Sequence, residues 1–273
     1  MIVKDALAAH AAFRRDAERL LLHCLDLAHE DRAWLIAHDT DELPNKVLSG
    51  FEELCQQRQT GIPLAYLLGY REFWSLRLRV TQDVLIPRPE TECLVEWAVE
   101  LVGEYGLSRF LDLGTGSGAI AMAVKSACPE LSVTASDASA RALAIAAENV
   151  ATLDLPVELI ESNWLSGLVG RKWPLIVSNP PYVAANDPHL AAGDLRFEPI
   201  SALTDGDDGL GAIRTIVDES PAHLEPGGWL LLEHGYDQAA DVAKLMALRG
   251  FNCITLRHDL AGRPRATGGC WTS

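Results

Sequence analysis

The chain lacks any apolar run of the roughly 18 residues needed to cross a membrane as a helix. Its first 15 residues carry His10, Arg14 and Arg15 but no apolar core followed by a small-residue cleavage site. A cytoplasmic protein with no membrane partner is therefore expected. Cysteine is sparse and scattered. The six are Cys24, Cys55, Cys93, Cys128, Cys253 and Cys270, with no C-x-x-C pair, which predicts reduced, buried thiols. The eight histidines form no H-E-x-x-H or H-x-x-x-H pattern, so no metal site is expected. Positive charge is also short, with 23 Lys and Arg against 38 Asp and Glu, a formal net charge of −15. Proteins that grip duplex nucleic acid usually carry an excess of cations to neutralise phosphates, so direct nucleic-acid binding is not expected. Arg71, Arg77, Arg79 and Arg88 do cluster, which reads either as outward positions of a solvated hairpin or as a partner-binding patch. There is no internal repeat and no low-complexity segment.

What is present suffices for two domains. The chain has 273 residues, 48% hydrophobic and 22% charged, enough for one large core and a small one. Ala6, Ala9, Phe13, Ala17, Leu20, Leu21 and Leu25 recur at spacings of three and four and predict one helical stripe. Short helices are predicted over 31–37, with Asp31 near the start, and over 46–57, between Pro44 and Gly61. The stretch from Phe73 to Val80 then alternates apolar and polar residues over its second half, which predicts a strand in a hairpin. Ile86-Pro87-Arg88-Pro89-Glu90-Thr91-Glu92 follows, its prolines fixing an extended entry to a helix through about Glu104. These changes divide the chain into a helical domain over 1–70, a hairpin linker over 71–86 and a third segment over 87–273. In that segment strands are predicted over 110–113, 132–136, 157–161, 175–178, 229–233 and 253–257. Helices are predicted over 119–127, 138–149, 210–223 and 238–248. The alternation is that of an α/β, doubly wound, mainly parallel sheet. Residues 264–271 are expected to add an antiparallel edge strand.

The first strand of that sheet runs into Asp112-Leu113-Gly114-Thr115-Gly116-Ser117-Gly118. Glycines at such a turn let the backbone approach a ligand at the carboxyl edge of the sheet. No Gly-Lys-Ser/Thr follows, so this is not a P-loop, and the G-x-G-x-G spacing is not the usual dinucleotide fingerprint. Asp112 beside the loop disfavours a pyrophosphate. S-adenosylmethionine carries an ammonium and a sulfonium but no phosphate, and suits it better. Asp137 ends the next strand, where a carboxylate can accept from both ribose hydroxyls. On this loop alone, a dehydrogenase-type cofactor remains the alternative.

The fourth strand delivers Asn179-Pro180-Pro181-Tyr182 to the same edge. A carboxamide or aromatic exocyclic nitrogen is a weak nucleophile with two N–H donors. The Asn179 side-chain oxygen and the Pro180 carbonyl can accept one each, aiming the lone pair at a methyl donor. Acceptors there also stabilise the charge that grows on nitrogen. Pro181 stiffens the turn, and Tyr182 offers a flat surface to a planar group. After the third strand, Asn163 can accept from an adenine amino group and Trp164 can pack on the ring; a turn with a buried aromatic is the alternative. The segment after Tyr182, with Glu198-Pro199 and Gly206-x-x-Gly209-Leu210, is expected to be a long structureless loop, such as a substrate lid.

Together with Glu198-Pro199-x-x-Ala202-Leu203 and Gly227-Gly228-Trp229-Leu230-Leu231-Leu232-Glu233, these motifs resemble the HemK/PrmC family of peptide chain release factor glutamine methyltransferases. The resemblance runs from about Gly61 to Glu233, and the helical first segment also fits. It implies a class I (Rossmann-like) methyltransferase fold with a small all-helical N-terminal domain that docks the release factor. It implies transfer from S-adenosylmethionine to the glutamine side-chain nitrogen of a Gly-Gly-Gln motif. The residues it assigns to the methyl donor are the glycine loop (Gly114, Thr115, Gly116, Ser117 and Gly118), Asp137, Trp164 and Asn179, to which the residue chemistry above adds Asp112 and Asn163. Those it assigns to glutamine and catalysis are Asn179, Pro180, Pro181 and Tyr182. Asn163 departs from the aspartate expected in many relatives, although an amide oxygen can still accept from an adenine amine. Asn-Pro-Pro-Tyr alone is shared with adenine-N6 methyltransferases of DNA and RNA, which keeps that activity as the alternative. A non-catalytic protein on the same fold is the third reading.

Overall fold

A computed structural model describes residues 1–28 and 31–272. The chain divides into two compact units, Met1–Gly69 and Tyr70–Ser273.

The first unit is helical. It holds α1 (Val3–Ala8), α2 (Arg14–Cys24), α3 (Arg32–Ala37), α4 (Asn45–Gln59) and α5 (Leu64–Leu68). Asp31 caps α3 by accepting from the Trp34 N–H at 3.0 Å, as its position suggested. The single stripe expected from Ala6 to Leu25 is in fact broken. The chain leaves helical geometry at His10 (φ −115°, ψ 33°) and passes through a 3-10 turn, Ala11–Phe13, before α2. His10 is 8% exposed, its ring 5.4 Å from that of Phe13 and 5.3 Å from that of Phe51. Periodicity continues across the break because both pieces bury apolar residues, and spacing alone does not register the change of axis.

The second unit opens with a hairpin, β1 (Tyr70–Phe73) and β2 (Leu76–Arg79). Trp74 and Ser75 connect the strands with φ of +52° and +59°, the conformation of a tight two-residue turn. Phe73 and Leu78 are buried in this unit's core, so the hairpin is packed into it. Three of the four arginines of the sequence cluster have separate partners. Arg77 lies over the Tyr70 ring at 3.8 Å, Arg79 pairs with Glu148 at 2.6 Å and Arg88 pairs with Glu198.

A 3-10 turn, Pro89–Thr91, then leads into α6 (Glu92–Tyr105). The sheet is built from β3 (Arg109–Leu113), β4 (Ser132–Asp137), β5 (Glu158–Glu161), β6 (Trp173–Ser178), β7 (Leu224–Glu233), β8 (Asn252–His258) and β9 (Pro264–Trp271). Its helices are α7 (Ala119–Ala127), α8 (Ala140–Leu153), α9 (Gly211–Glu219) and α10 (Ala239–Arg249). The strand order is β5-β4-β3-β6-β7-β9-β8. Pairings are parallel from β5 to β7, and β9 is antiparallel to both its neighbours. All six residues of β6 are buried, as expected for a strand covered on both faces.

Residues 264–271 are therefore not the edge strand expected. They lie between β7 and β8, and β8 is the edge. The reason is steric. Gly268 lets β9 run against Leu231 of β7 and Trp97 of α6, where a Cβ would come within 2.6 Å of Trp97 Cη2. The solvent-facing strand is β8, and Cys253 on it is exposed, so not every thiol is buried as expected. All six cysteines are free. Among the described residues no helix is long and apolar enough to cross a membrane.

The order reverses between β3 and β6. The chain builds outward from β3 through β4 to β5, then returns to the other side of β3. Two loops diverge there and leave a crevice at the carboxyl ends of the strands, where open α/β sheets bind ligands.

Candidate active site

The glycine loop is held from below. Asp112 is fully buried, and its Oδ2 accepts from the Thr115 hydroxyl (2.6 Å) and the Ala121 N–H (3.1 Å). Burial pushes this carboxyl up to about 7 despite both hydrogen bonds. Asp112 thus braces the loop from behind and is not part of the cleft wall. Thr115 and Ser117 are likewise buried. The N–H groups of Gly114 and Thr115 both donate to the Ser136 carbonyl, at 2.8 and 2.9 Å. Two glycines are favoured by their left-handed backbone, with side-chain crowding added. Gly114 (φ +71°) lies under Trp164, whose Cζ3 would be 3.3 Å from a Cβ there, and a Cβ on Gly118 (φ +84°) would collide with Met122 Cε.

Asp137, at the end of β4, does face the cleft. Its Oδ2 accepts from the Gly116 N–H (2.9 Å) and its Oδ1 from the Ser139 N–H (2.8 Å). Burial raises its pKa, and the backbone donors Ser139, Gly116 and Ala138 oppose the rise. The chain then leaves β5 through Ser162, whose hydroxyl donates to the Trp164 carbonyl at 2.7 Å. Trp164 sits at φ +48° with its indole over Gly114. The Asn163 side chain stands exposed in the cleft wall.

Asn179-Pro180-Pro181-Tyr182 follows β6, which the Ser178 hydroxyl ties to the Leu113 carbonyl of β3 at 2.7 Å. Asn179 and Pro181 line the cleft, and Pro180 is buried. The Asn179 Nδ2 donates to Thr91 Oγ1 at 3.4 Å. Tyr182 points away from the cleft. Its hydroxyl donates to Glu233 Oε1 (3.2 Å), its carbonyl accepts from Gln238 Nε2 (3.0 Å), and its ring packs on the apolar cluster around α9 and α10. Burial pushes its phenol above the ordinary tyrosine range.

These pieces surround one cleft of about 550 Å³. Gly114, Gly116, Asp137, Asn163, Trp164, Asn179 and Pro181 converge on it, whereas Asp112, Thr115, Ser117, Gly118, Pro180 and Tyr182 support it from outside the lining. Its remaining walls come from residues 82–85, from the start of α8 with Arg141, from Ser162, and from Pro199, Ser201 and Ala202. The segment after Tyr182 is not structureless. Three 3-10 turns, Pro188–Ala191, Leu195–Phe197 and Ile200–Ala202, organise it, and the Val183 N–H donates to the Leu203 carbonyl at 2.9 Å. Glu198 fastens it over the site. Its buried carboxylate accepts from the Ile86 N–H at 3.0 Å and pairs with Arg88.

Sequence reasoning assigned no role to Asn149. It is 1% exposed, and its Nδ2 donates to the Ser117 carbonyl of the glycine loop (2.9 Å) and the Arg79 carbonyl (3.0 Å). The available signal was a polar residue in register with Ala142, Ile145 and Ala146 on the buried face of α8. Thr91, Glu198 and Glu233 stood inside recognised motifs, but nothing in their spacing showed that they meet the cleft loops.

The chain matches two family descriptions, the PrmC N-terminal domain over residues 3–69 and the Methyltransferase small domain over residues 95–197. The release factor glutamine methyltransferase of Xylella fastidiosa is 49% identical over 97% of this chain and 95% of its own length. That of Escherichia coli is 40% identical over 96% of this chain and 94% of its own length. Among solved structures, a methyltransferase from Pyrococcus furiosus aligns with a TM-score of 0.54 over 82% of this chain and 100% of that one, at 15% identity, a likeness of fold alone. The sheet is that of a class I, Rossmann-like methyltransferase, and identity of 40–49% across nearly the whole length places this chain in the release factor glutamine methyltransferase family.

Proposed function

We propose that the chain transfers a methyl group from S-adenosylmethionine to the side-chain amide nitrogen of the glutamine in the Gly-Gly-Gln motif of peptide chain release factors. The observation that carries this reading is the convergence of Asp137 and Asn179 on one cleft at the switch point of the sheet. The residues present fit the methyl donor. The acids in the cleft wall are Asp83 and Asp137, and its cation, Arg141, stands 3.6 Å from Asp83. A wall of that charge suits a cationic donor better than a pyrophosphate. Gly116 leaves open space where a Cβ would otherwise project. Gly114, Gly116, Asp137, Asn163, Trp164 and Asn179 would hold the donor. When bound, S-adenosylmethionine supplies an electrophilic methyl group.

The chain's own work is placement. Asn179 Oδ1, in the cleft wall, accepts one amide hydrogen of glutamine and turns its nitrogen lone pair toward the donor, and the main-chain carbonyl of Pro180, a residue otherwise outside the lining, is the acceptor for the second. They also stabilise the positive charge that develops on that nitrogen. Pro181 and Tyr182 keep the turn rigid, Tyr182 through its anchors on Glu233 and Gln238. In this reading the helical unit, residues 1–69, docks the release factor. The net charge of −15 opposes a long nucleic-acid footprint and favours this reading over adenine methylation.

The test is methyl transfer from labelled donor to a purified release factor. Asn179→Ala is expected to lower kcat roughly 100- to 1,000-fold, the scale for losing one acceptor or donor at a developing charge. Near-normal transfer by that variant, or label that persists after the Gly-Gly-Gln glutamine is replaced, would overturn the reading.

A further inference from the structure

Two motifs far apart in the chain meet at one buried carboxylate beside the cleft. Glu198 stands in extended backbone (φ −86°, ψ 155°), which proline favours in the residue before it, and Pro199 then carries the chain into the cleft wall. The Glu198 side chain is 0% exposed. Its Oε2 accepts from the Ile86 N–H at 3.0 Å and its Oε1 from the Arg88 guanidinium. Ile86 and Arg88 follow directly on residues 82–85, which form another part of the same wall. Beyond Glu198, Pro199, Ser201 and Ala202 line the cleft, while Ile200 is 60% exposed. Leu203 ends this strap. It is buried, and its carbonyl accepts from the N–H of Val183, the residue after Tyr182, at 2.9 Å. Residues 199–202 are thus pinned at both ends, by Glu198 to the 86–88 segment and by Leu203 to the Asn-Pro-Pro-Tyr turn.

Two donors, a backbone N–H and a guanidinium, meet the side chain at 198, and only a carboxylate serves both. A carboxamide has one acceptor oxygen, and its other end donates. With glutamine at 198, its NH2 must face either the Ile86 N–H or the Arg88 guanidinium, donor against donor, where water does not reach. Between its pins the strap is a single 3-10 turn, Ile200–Ala202, with the Ala202 N–H donating to the Pro199 carbonyl at 2.9 Å. That bond is local and does not tie the strap to the sheet. Releasing the Glu198 pin therefore loosens the wall and leaves the sheet intact.

We propose that Glu198 is a positioning residue for the methyl donor: through Ile86 and Arg88 it latches the 199–202 strap in place as a wall of the donor cleft. This rests on the cleft being the S-adenosylmethionine site. A donor that binds only the latched form shows an apparent Kd equal to the intrinsic one divided by the latched fraction. Saturating donor restores the closed wall, so the effect falls on Kd and not on kcat. The experiment measures S-adenosylmethionine Kd by calorimetry on the full chain, and kcat at saturating donor and release factor. Glu198→Gln is expected to raise Kd roughly 10-fold, as when about one molecule in ten is latched, and to leave kcat within about twofold. Arg88→Met should do the same, and Arg88→Lys, which keeps a cation for Oε1, should recover most of the affinity. Glu198→Gln combined with Arg88→Met should cost less than the two changes summed, because the glutamine oxygen then serves Ile86 without its NH2 facing a guanidinium. Gly268→Ala, which crowds the sheet outside the cleft lining, is the control for lost stability and should leave Kd unchanged.

Wild-type Kd in Glu198→Gln would overturn this inference and leave the reading of the cleft standing. An equal loss of affinity in Gly268→Ala would overturn it as well. So would a saturated kcat that falls as far as the affinity, since the wall would then be lost and not unlatched. A wild-type chain that binds no donor would overturn the reading of the cleft first. If Glu198→Gln does not fold, the Arg88 variants decide. Weak donor binding by Arg88→Met beside near-normal binding by Arg88→Lys supports the latch, and equal Kd in the two overturns it.

Discussion

Asn149→Asp is a near-isosteric change at a residue remote from the methyl-transfer chemistry, and the structure makes its cost calculable. The wild-type Oδ1 accepts from the Arg79 N–H at 2.6 Å, and aspartate keeps that bond. The Nδ2 bonds to the Arg79 and Ser117 carbonyls, at 3.0 and 2.9 Å, are both lost. The Ser117 acceptor is buried and costs about 1–3 kcal/mol when left unpaired, and the part-buried Arg79 acceptor adds less, so the loss is about 1–4 kcal/mol. The new carboxyl faces two carbonyl oxygens in a site 1% exposed, so its folded-state pKa rises above the unfolded value of about 3.9. The sign follows from that shift. The protonated acid can donate to one carbonyl, so the variant loses least below the unfolded pKa, and its deficit grows as pH rises through the folded one. Urea unfolding of wild type and Asn149→Asp at pH 5 and pH 8 measures this difference directly. Because Ser117 belongs to the glycine loop, affinity for the methyl donor should weaken in step. A deficit below about 1 kcal/mol at pH 8, or one that does not change with pH, would refute the argument.

Two further outcomes are expected. Asp112 is fully buried, and desolvation lifts its pKa from 3.8 to about 7, so the folded state retains a proton that the unfolded chain releases. Its stabilising contribution is complete below about pH 4 and is lost as pH rises through about 7, an effect of at most roughly 4 kcal/mol. Asp112→Asn should therefore flatten the dependence of Tm on pH across that window, and parallel curves for variant and wild type would contradict the assignment. Gly268→Ala should destabilise the sheet by about 1–3 kcal/mol through overpacking against Leu231 and Trp97. Gly269→Ala should cost less, since its nearest contact would be Phe251 Cβ at 3.1 Å, and chemical denaturation giving the reverse order would show that the core around β9 yields more easily than its geometry implies.

Much of the site was legible because it is local. A glycine turn after a buried strand, an acid at the end of the next, and two prolines after a third each declare their geometry through nearest neighbours. Strand and helix periods placed those segments on a parallel sheet, and the sheet's topology brings Gly116, Asp137 and Asn179 to one edge. The misread features are those in which distant segments compete for the same space. Residues 264–271 look like any terminal strand until Gly268 meets Trp97, 171 positions away in the chain. The run from Ala6 to Leu25 keeps its period through a break at His10, whose ring packs near Phe13 and Phe51.

By itself the sequence determined the class of sheet, the location of the ligand edge and the chemical kind of group at each loop, because dihedral preference and burial period are properties of short segments. Only the tertiary structure decided which polar groups meet. It put Asp112 beneath the loop and Asp137 in the cleft, turned Tyr182 inward to Glu233, and set Thr91 against Asn179 across 88 positions of chain. A buried hydrogen bond depends on distances of a few tenths of an ångström between segments, and no spacing along one strand carries that information.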